Sequence, residues 1–350
     1  MIKNVFPGGN TAYGFYSFYD YVIEPDATRI FILKGGPGVG KSTFMKKIGE
    51  ELTSRGFNLE YHHCSSDNDS IDGLVVPAVK VAIIDGTSPH IVDPKNPGAV
   101  DEIVPLGDFW DEKGLIDKKN DIIATNKEIG RMFNKAYSYL SALNNVVNDF
   151  VNINDGLMDF RKVDRIAAEL TGRITGQLDR QGQARHLFAS AFTPNGVVDY
   201  LESVVGTMND IFVIEGERGT GRSTLLKRIA DCALMRGYYI EVYHDHLDPK
   251  RYAHLIIPDM DIAFTTSEKF ENRASAVYDL DECMEKGRYG EKAEDEIIMD
   301  ILGKKAVKYI FEAKKNHDRM ENLYIPNMDF DKINEIREKT LNRILKYAGV

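Results

Sequence analysis

A glycine-rich loop that ends in a lysine and two hydroxyl residues occupies positions 35–43, with the sequence GGPGVGKST. Glycines let such a loop curl until successive backbone N–H groups point at one anion, and the positive end of a following helix faces the same point. We therefore predict a cradle for the phosphates of a nucleotide, in which Lys41 contacts the β- and γ-phosphates and Ser42 ligates Mg²⁺. The predicted cradle consists of Gly36, Pro37, Gly38, Val39, Gly40, Lys41, Ser42 and Thr43.

An apolar run that ends in a carboxylate, VAIID, follows at residues 81–85. A buried strand of this kind places its last side chain at the edge of a sheet, where ligands bind in open α/β folds. Asp85 is therefore a predicted ligand of Mg²⁺, and Asp85 and Lys41 are the catalytic candidates. Gly86 follows where a second acid would suggest a hydrolytic base, which favours an acceptor that brings its own nucleophile.

Further polar residues lie just after two predicted strands. His90 could orient a water or contact the γ-phosphate, although a single loop histidine is more often structural. Residues 62–69 read HHCSSDND, which contains zinc-binding residue types, but adjacent strand residues point to opposite faces and the spacing fits no familiar zinc site. We instead expect Asp67 or Asp69 to contact an acceptor or Mg²⁺-bound water.

The sequence consists of two similar halves and therefore contains an internal duplication. Residues 30–43, IFILKGGPGVGKST, recur 181 positions later as residues 211–224, IFVIEGERGTGRST. Matches outside the loop include Phe6 with Phe188, Thr11 with Thr193, Glu60 with Glu241, and Met158 with Met328. The duplication predicts two domains, 1–175 and 176–350, joined by a polar, glycine-containing linker near residues 175–182.

The second copy of the loop has lost the residues that the chemistry needs. Arg222 replaces the lysine, Thr266 replaces the strand-end carboxylate, and Glu217 places a carboxylate inside the loop. Because a planar guanidinium is not equivalent to an ammonium, we interpret the second half as catalytically degenerate. It either retains binding of a phosphate or nucleotide or serves as a scaffold, and Arg218 or Arg222 could act as an arginine finger on the first site.

Hydrophobic periodicity predicts the same order of elements in each half. The predicted strands are 30–33, 59–63 and 81–84, then 211–214, 239–244 and 262–265; the predicted helices are 41–54 and 161–174, then 222–236 and 331–346. Apolar residues between Ile129 and Phe150 recur at steps of three and four, which predicts one long helix packed on another. The predicted fold class is α/β, with two tandem domains, each a mostly parallel sheet flanked by helices with an added helical layer.

Composition excludes several classes of protein. With 44 basic and 54 acidic residues the net charge is −10, which argues against binding nucleic acid by bulk electrostatics. Three distant cysteines, Cys64, Cys232 and Cys283, form neither a disulfide framework nor a CxxC metal site. The sequence shows no apolar signal segment and no run of about 18 apolar residues, so we expect a cytoplasmic protein without a membrane partner.

The GxxxxGK[ST] spacing of residues 35–43 is the Walker A motif, and with the preceding strand and following helix it resembles the P-loop NTPase superfamily. The duplicated layout is similar to an uncharacterised family of bacterial tandem P-loop proteins labelled ATPase or nucleotide-kinase-like. The resemblance implies binding of ATP and Mg²⁺, with roles at Lys41, Ser42 and Asp85, and it does not extend these roles to the second half.

The sequence therefore leaves three functions open. The leading one is a Mg²⁺-dependent ATPase that hydrolyses the γ-phosphate at the first loop. The first alternative is a kinase that transfers this phosphate to a small molecule or nucleotide held by the 62–69 and 86–90 loops. The second alternative is a nucleotide sensor without hydrolysis, whose helical layer docks a protein partner. GTP stays open as the nucleotide, although the sequence shows no convincing guanine-binding motif.

Overall fold

The structure is a computed structural model that describes residues 1–88, 90–285 and 292–349. Strands of the first repeat are β1 (Ile2–Val5), β2 (Gly8–Thr11), β3 (Gly14–Ser17), β4 (Arg29–Lys34), β5 (Leu59–His63), β6 (Ile71–Val76), β7 (Val81–Asp85) and β8 (Asp101–Pro105). Strands of the second repeat are β9 (Gln183–Leu187), β10 (Ser190–Thr193), β11 (Gly196–Asp199), β12 (Asp210–Glu215), β13 (Tyr239–His244), β14 (Tyr252–Ile257), β15 (Ile262–Thr265) and β16 (Ala276–Asp279). The helices are α1 (Lys41–Ser54), α2 (Glu112–Asp117), α3 (Lys119–Asp155), α4 (Phe160–Arg173), α5 (Arg222–Met235), α6 (Lys292–Tyr324) and α7 (Phe330–Tyr347).

Two six-stranded sheets have equivalent strand orders, β1-β5-β6-β7-β4-β8 and β9-β13-β14-β15-β12-β16. In each sheet one strand, β6 or β14, runs antiparallel to both neighbours, and the other pairings are parallel. The prediction of an α/β protein with mostly parallel sheets flanked by helices is thus confirmed. The two antiparallel strands were not predicted, because all six residues of β6 are buried and lack the alternation that marks a half-exposed strand.

The elements around the glycine loop match their predicted bounds closely. Helix α1 spans Lys41–Ser54, and the long helix expected around residues 129–150 is the 37-residue helix α3. Gly56, just after α1, has φ of 84°, and Gly237, after α5, has φ of 83°. Both are left-handed conformations in which glycine avoids the strain of a Cβ, so each glycine ends its helix as predicted.

Each repeat gives its C-terminal helices to the sheet of the other repeat. Helix α4, from the first repeat, packs its buried face against α5 in the core of the second sheet. Helix α7, from the second repeat, packs against α1 in the core of the first sheet. The boundaries 1–175 and 176–350 therefore describe the duplication, but they do not divide the packing.

The crossings between repeats are fixed by paired backbone hydrogen bonds. Asp111 N donates to Asn327 O at 2.7 Å, and Asp329 N donates to Phe109 O at 2.8 Å. The equivalent crossing joins residues 157–159 to residues 283–285, again through two bonds of 2.8 Å. Between the crossings, α3 and α6 pack along each other and bury Leu140, Leu143, Ala306 and Ile310, which is the helix pair predicted from the apolar stripe.

A small four-stranded sheet, ordered β11-β10-β2-β3, joins one hairpin from each repeat. Its central pairing is antiparallel, between Phe192 and Asn10, which occupy equivalent positions of the repeats. Within the part of the chain that the structure describes, no helix has the length and apolar character needed to cross a membrane.

Candidate functional site

The predicted phosphate cradle forms a curled loop between β4 and α1. Gly38 and Gly40 have φ values of 69° and 83°, so both adopt the left-handed conformation that the loop requires. Helix α1 begins at Lys41 with Gly40 as its N-cap, and no acidic residue lies in its first turn. The positive end of the helix is therefore not neutralised by its own side chains and can face an anion.

The structure brings Lys41 and Asp85 close together. Lys41 Nζ donates to the carbonyl oxygens of Gly35 at 3.1 Å and Gly36 at 2.9 Å. It also lies 3.6 Å from Asp85 Oδ2, at the end of β7, which pairs directly with β4. An ammonium and a carboxylate are thus held at the mouth of one loop.

The two predicted metal ligands, Ser42 and Asp85, each accept hydrogen bonds from neighbouring residues. Ser42 Oγ accepts a hydrogen bond from Ile71 N at 3.1 Å, which positions the hydroxyl at the start of β6. Asp85 Oδ1 accepts from Thr87 N at 2.9 Å and from Thr87 Oγ1 at 2.6 Å. Gly86 has no room for an acidic side chain, since an added Cβ would lie 2.4 Å from Ile32 Cγ2.

Asp72, Tyr19 and His90 lie close to Asp85. The sequence analysis did not predict Asp72 or Tyr19, and it left the role of His90 open. Asp72 lies in β6 beside Asp85, because the antiparallel register pairs Gly73 with Ile84. Tyr19 Oη donates to Asp72 Oδ2 at 2.9 Å, and His90 Nε2 lies 3.7 Å from Asp72 Oδ1. Burial raises the pKa of the Asp72 carboxyl, and the Asp85 charge raises it further, against the opposing effect of His90.

Comparison of the two repeats could have identified Asp72, which was missing from the predicted site. The match of 181 positions places Ala253 at the position of Asp72, just as it places Thr266 at that of Asp85. The second repeat lacks both carboxylates at these positions, which associates Asp72 with Asp85.

The end of helix α6, from the second repeat, packs against the first loop. A Cβ added to Gly36 would lie 2.9 Å from the ring of Tyr324, and one added to Gly38 would lie 3.1 Å from Glu321 O. The loop therefore has its own strand and helix on one side and the exchanged helix on the other. This contact was not predicted from the sequence, because the exchange of helices between the repeats was not predicted.

The structure places the residues of the 62–69 segment in separate interactions. His62 Nε2 lies 2.7 Å from Glu60 Oε1, whereas His63 Nε2 contacts Asn4 Oδ1 at 2.9 Å. Asp67 holds a tight turn by accepting from Ser70 Oγ at 2.7 Å, and Lys314 Nζ lies 3.5 Å from its other oxygen. These side chains form no zinc cluster among the described residues.

The second loop keeps two left-handed glycines, Gly219 and Gly221, with φ values of 96° and 89°, but its side chains differ. Its helix α5 begins at Arg222, and Ser223 Oγ accepts from Tyr252 N at 2.8 Å, as its counterpart does in the first loop. Asn154 of the exchanged helix α3 donates to Arg218 O at 2.7 Å. Burial lowers the pKa of the Arg222 guanidinium, and the neighbouring Arg218 charge lowers it further. A polar cavity of about 130 Å³ lies beside these residues.

Comparison with models of protein families, with curated proteins and with solved structures found no match for this chain. Only the residues of the site therefore bear on the function.

Proposed function

We propose that the protein binds ATP with Mg²⁺ at the loop of residues 35–43 and hydrolyses the bond between the β- and γ-phosphates with water, releasing ADP and inorganic phosphate. The observation that carries this proposal is the position of Lys41 Nζ, within 3.1 Å of two loop carbonyls and 3.6 Å from the carboxylate of Asp85. A triphosphate in the loop offers the ammonium stronger acceptors than these carbonyls. Lys41 is therefore poised to move onto phosphate oxygens and to stabilise the charge that develops during transfer.

The donor set at the loop fits magnesium. Ser42 supplies a hydroxyl oxygen and Asp85 a carboxylate oxygen, and hard oxygen ligands are those that Mg²⁺ prefers. When bound, the ion neutralises charge on the β- and γ-phosphates. Ser42 Oγ accepts one hydrogen bond, from Ile71 N, and so keeps a second lone pair for this role.

We assign the second repeat a supporting role. Arg222 and Thr266 supply neither the ammonium nor the carboxylate that the first loop has in Lys41 and Asp85. The same repeat contributes α6 and α7 to the first site and its core. The second repeat can therefore lose the catalytic residues of its own loop and still supply these helices to the first site.

The test measures binding of a non-hydrolysable ATP analogue by calorimetry with Mg²⁺ present. We expect Lys41→Ala to weaken binding at least tenfold, about 1.4 kcal/mol, because it removes the charge-assisted contacts to phosphate. The matched control is Arg222→Ala, at the equivalent position of the second repeat, which should change the affinity much less. Equal losses in the two variants, or unchanged binding in Lys41→Ala, would contradict the proposal.

Turnover separates hydrolysis from the alternatives. Phosphate release from ATP without an added acceptor, abolished in Lys41→Ala, is the expected result for an ATPase. Strict dependence on an acceptor would instead assign the site to a kinase, and binding without turnover to a sensor. Circular dichroism of both variants checks that the fold is intact.

A further inference from the structure

Three side chains that could act as metal ligands converge beside the loop. They were not predicted as a group from the sequence. Asp72 in β6, Asp85 at the end of β7 and His90 in the following segment each offer one ligand atom, and these atoms lie within 4.8 Å of one another. All three residues are less than a tenth exposed. Two strands and a short connection therefore position two carboxylates and an imidazole around one point.

The charges of this group are poorly balanced by the protein. Asp72 receives a hydrogen bond from the neutral hydroxyl of Tyr19, and Asp85 receives two from Thr87. Among the described residues, no lysine or arginine other than Lys41 lies within ion-pair distance of either carboxylate. Buried carboxylates are costly without compensating charge, so this pair favours a cation between them.

Ring stacking holds His90 in place, and neither ring nitrogen has a hydrogen bond to another described residue. Its ring stacks on Tyr19 at a centroid distance of 4.8 Å and an interplanar angle of 8°, and Phe15 packs on it at 5.5 Å. Nδ1 is buried without a hydrogen-bond partner in the described part of the chain, and Nε2 lies 3.7 Å from Asp72 Oδ1, beyond hydrogen-bond distance. An imidazole that is more than nine-tenths buried and clamped beside two carboxylates is placed as a metal ligand.

We propose that Asp72, Asp85 and His90 bind a divalent first-row transition cation such as Mn²⁺ directly, in the absence of nucleotide. Two carboxylates and one imidazole supply a mixed oxygen and nitrogen donor set, which favours Mn²⁺ over Mg²⁺ because imidazole is a poorer ligand for the harder ion. Asp85 is shared with the proposed magnesium site, so this inference deepens the proposed function. The cation adds positive charge at the mouth of the loop before ATP arrives.

The equivalent positions of the second repeat lack these carboxylates. Ala253 and Thr266 stand at the positions equivalent to Asp72 and Asp85, and neither can replace a carboxylate ligand. We therefore expect one Mn²⁺ per chain rather than two.

The test titrates Mn²⁺ into the full-length protein without nucleotide and follows free Mn²⁺ by electron paramagnetic resonance. We expect one site per chain, with an affinity for Mn²⁺ at least tenfold higher than for competing Mg²⁺. Asp72→Asn keeps the size of the side chain and should weaken Mn²⁺ binding at least tenfold. Lys41→Ala should tighten Mn²⁺ binding, because it removes a positive charge 3.6 Å from Asp85.

Pulsed resonance on bound Mn²⁺ identifies the imidazole. We expect a coupling to a directly bonded ¹⁴N nucleus that is lost in His90→Gln, whereas Asp72→Asn reduces occupancy. The matched control is Asp318→Asn in α6, where His317, Asp318 and Glu321 form the other candidate group among the described residues. A site that Asp318→Asn abolishes, two sites per chain, or no Mn²⁺ binding without nucleotide would overturn the proposal.

The two proposals can fail separately. Failure of Mn²⁺ binding with ATP binding intact rejects only the cation site. Failure of ATP binding with the Mn²⁺ signal intact rejects only the proposed nucleotide function.

Discussion

Phe6 and Phe188, which occupy the same position in the two repeats, hydrogen-bond to each other through both backbone N–H groups, at 2.9 and 3.0 Å. Reciprocal contact between equivalent residues is what an approximate twofold axis produces, as in a symmetric dimer. Asn10 follows the same rule, because its side chain donates to the carbonyl of its equivalent, Phe192, at 3.0 Å. The single chain is therefore arranged like a dimer of its repeats.

The same symmetry creates a set of four charges, in which two buried carboxylates meet two partly exposed cations. Lys3 bonds to Glu241 at 2.6 Å, and its equivalent, Arg185, bonds to Glu60, the equivalent of Glu241, at 3.0 Å. The four side chains line a cavity of about 460 Å³ between the repeats. Burial alone would raise the pKa of Glu60, but Arg185 and Lys3 together hold it well below its ordinary value. The pairs therefore join the repeats as charged groups.

We expect Arg185→Met to destabilise the protein by about 3–5 kcal/mol, because it leaves Glu60 charged and buried without its main partner. Urea unfolding measures this cost. The double variant Arg185→Met with Glu60→Met should recover a large part of it, since no buried charge is then left unpaired. Lys80→Met breaks an exposed pair with Asp26 and should leave the unfolding midpoint unchanged. Equal effects of Arg185→Met and Lys80→Met would show that burial of the pair is unimportant.

Sequence patterns predicted the local elements well, since they depend on nearby residues. Glycines at positions 56 and 237 end the helices α1 and α5, and the apolar stripe from Ile129 to Phe150 lies within one long helix. The exchange of α4 and α7 was not predictable, because the same apolar face fits the sheet of either repeat. The loop and Asp85 followed from spacing, and Asp72 could have been found by comparing the repeats, whereas Tyr19 required the folded structure, which places its hydroxyl on Asp72.

The exchange of helices predicts that the two halves need each other. If residues 1–175 and 176–350 are expressed as separate chains in one cell, we expect them to purify as a stable 1:1 complex. Each half supplies a helix that covers the hydrophobic core of the other. Size-exclusion chromatography with light scattering measures the stoichiometry.

A charge in the exchanged face tests the same contact. Ile344→Asp, at a fully buried position of α7, should abolish copurification, whereas Lys339→Asp on the exposed side of α7 should not. Two halves that elute as separate folded monomers would contradict the exchange.

Contact of α6 with the glycine loop predicts an effect on nucleotide affinity from outside the loop. Tyr324 packs its ring on Gly36, so Tyr324→Ala should leave the loop less ordered before binding and weaken the ATP analogue about tenfold. Tyr324→Phe keeps the ring and should bind like the natural chain. Phe311→Ala, at a half-exposed position of the same helix, controls for general effects on α6. An affinity unchanged by Tyr324→Ala would mean that the loop is ordered without its neighbour.

Buried neutral histidines predict a loss of stability in mild acid. Burial lowers the pKa of His254 to about 4, although Asp245 and Asp199 oppose this, and its Nδ1 lies 2.6 Å from Thr265 Oγ1. Between pH 6.5 and 4 the unfolded chain binds a proton at this histidine that the folded chain does not. The free energy of unfolding therefore falls as the pH is lowered through this window, by about 1 kcal/mol per histidine between pH 6 and 5.

Urea unfolding at pH 7, 6 and 5 measures this dependence, and His63 and His244, with pKa values lowered by burial to about 4 and about 3, add to it. His254→Asn keeps a polar partner for Thr265 but cannot titrate, so it should reduce the fall between pH 6 and 5 by about 1 kcal/mol. His317→Gln, at a partly exposed position of α6, is the control and should leave the fall as it is. If His254→Asn showed the full pH dependence of the natural chain, protonation of His254 on unfolding would not be its cause.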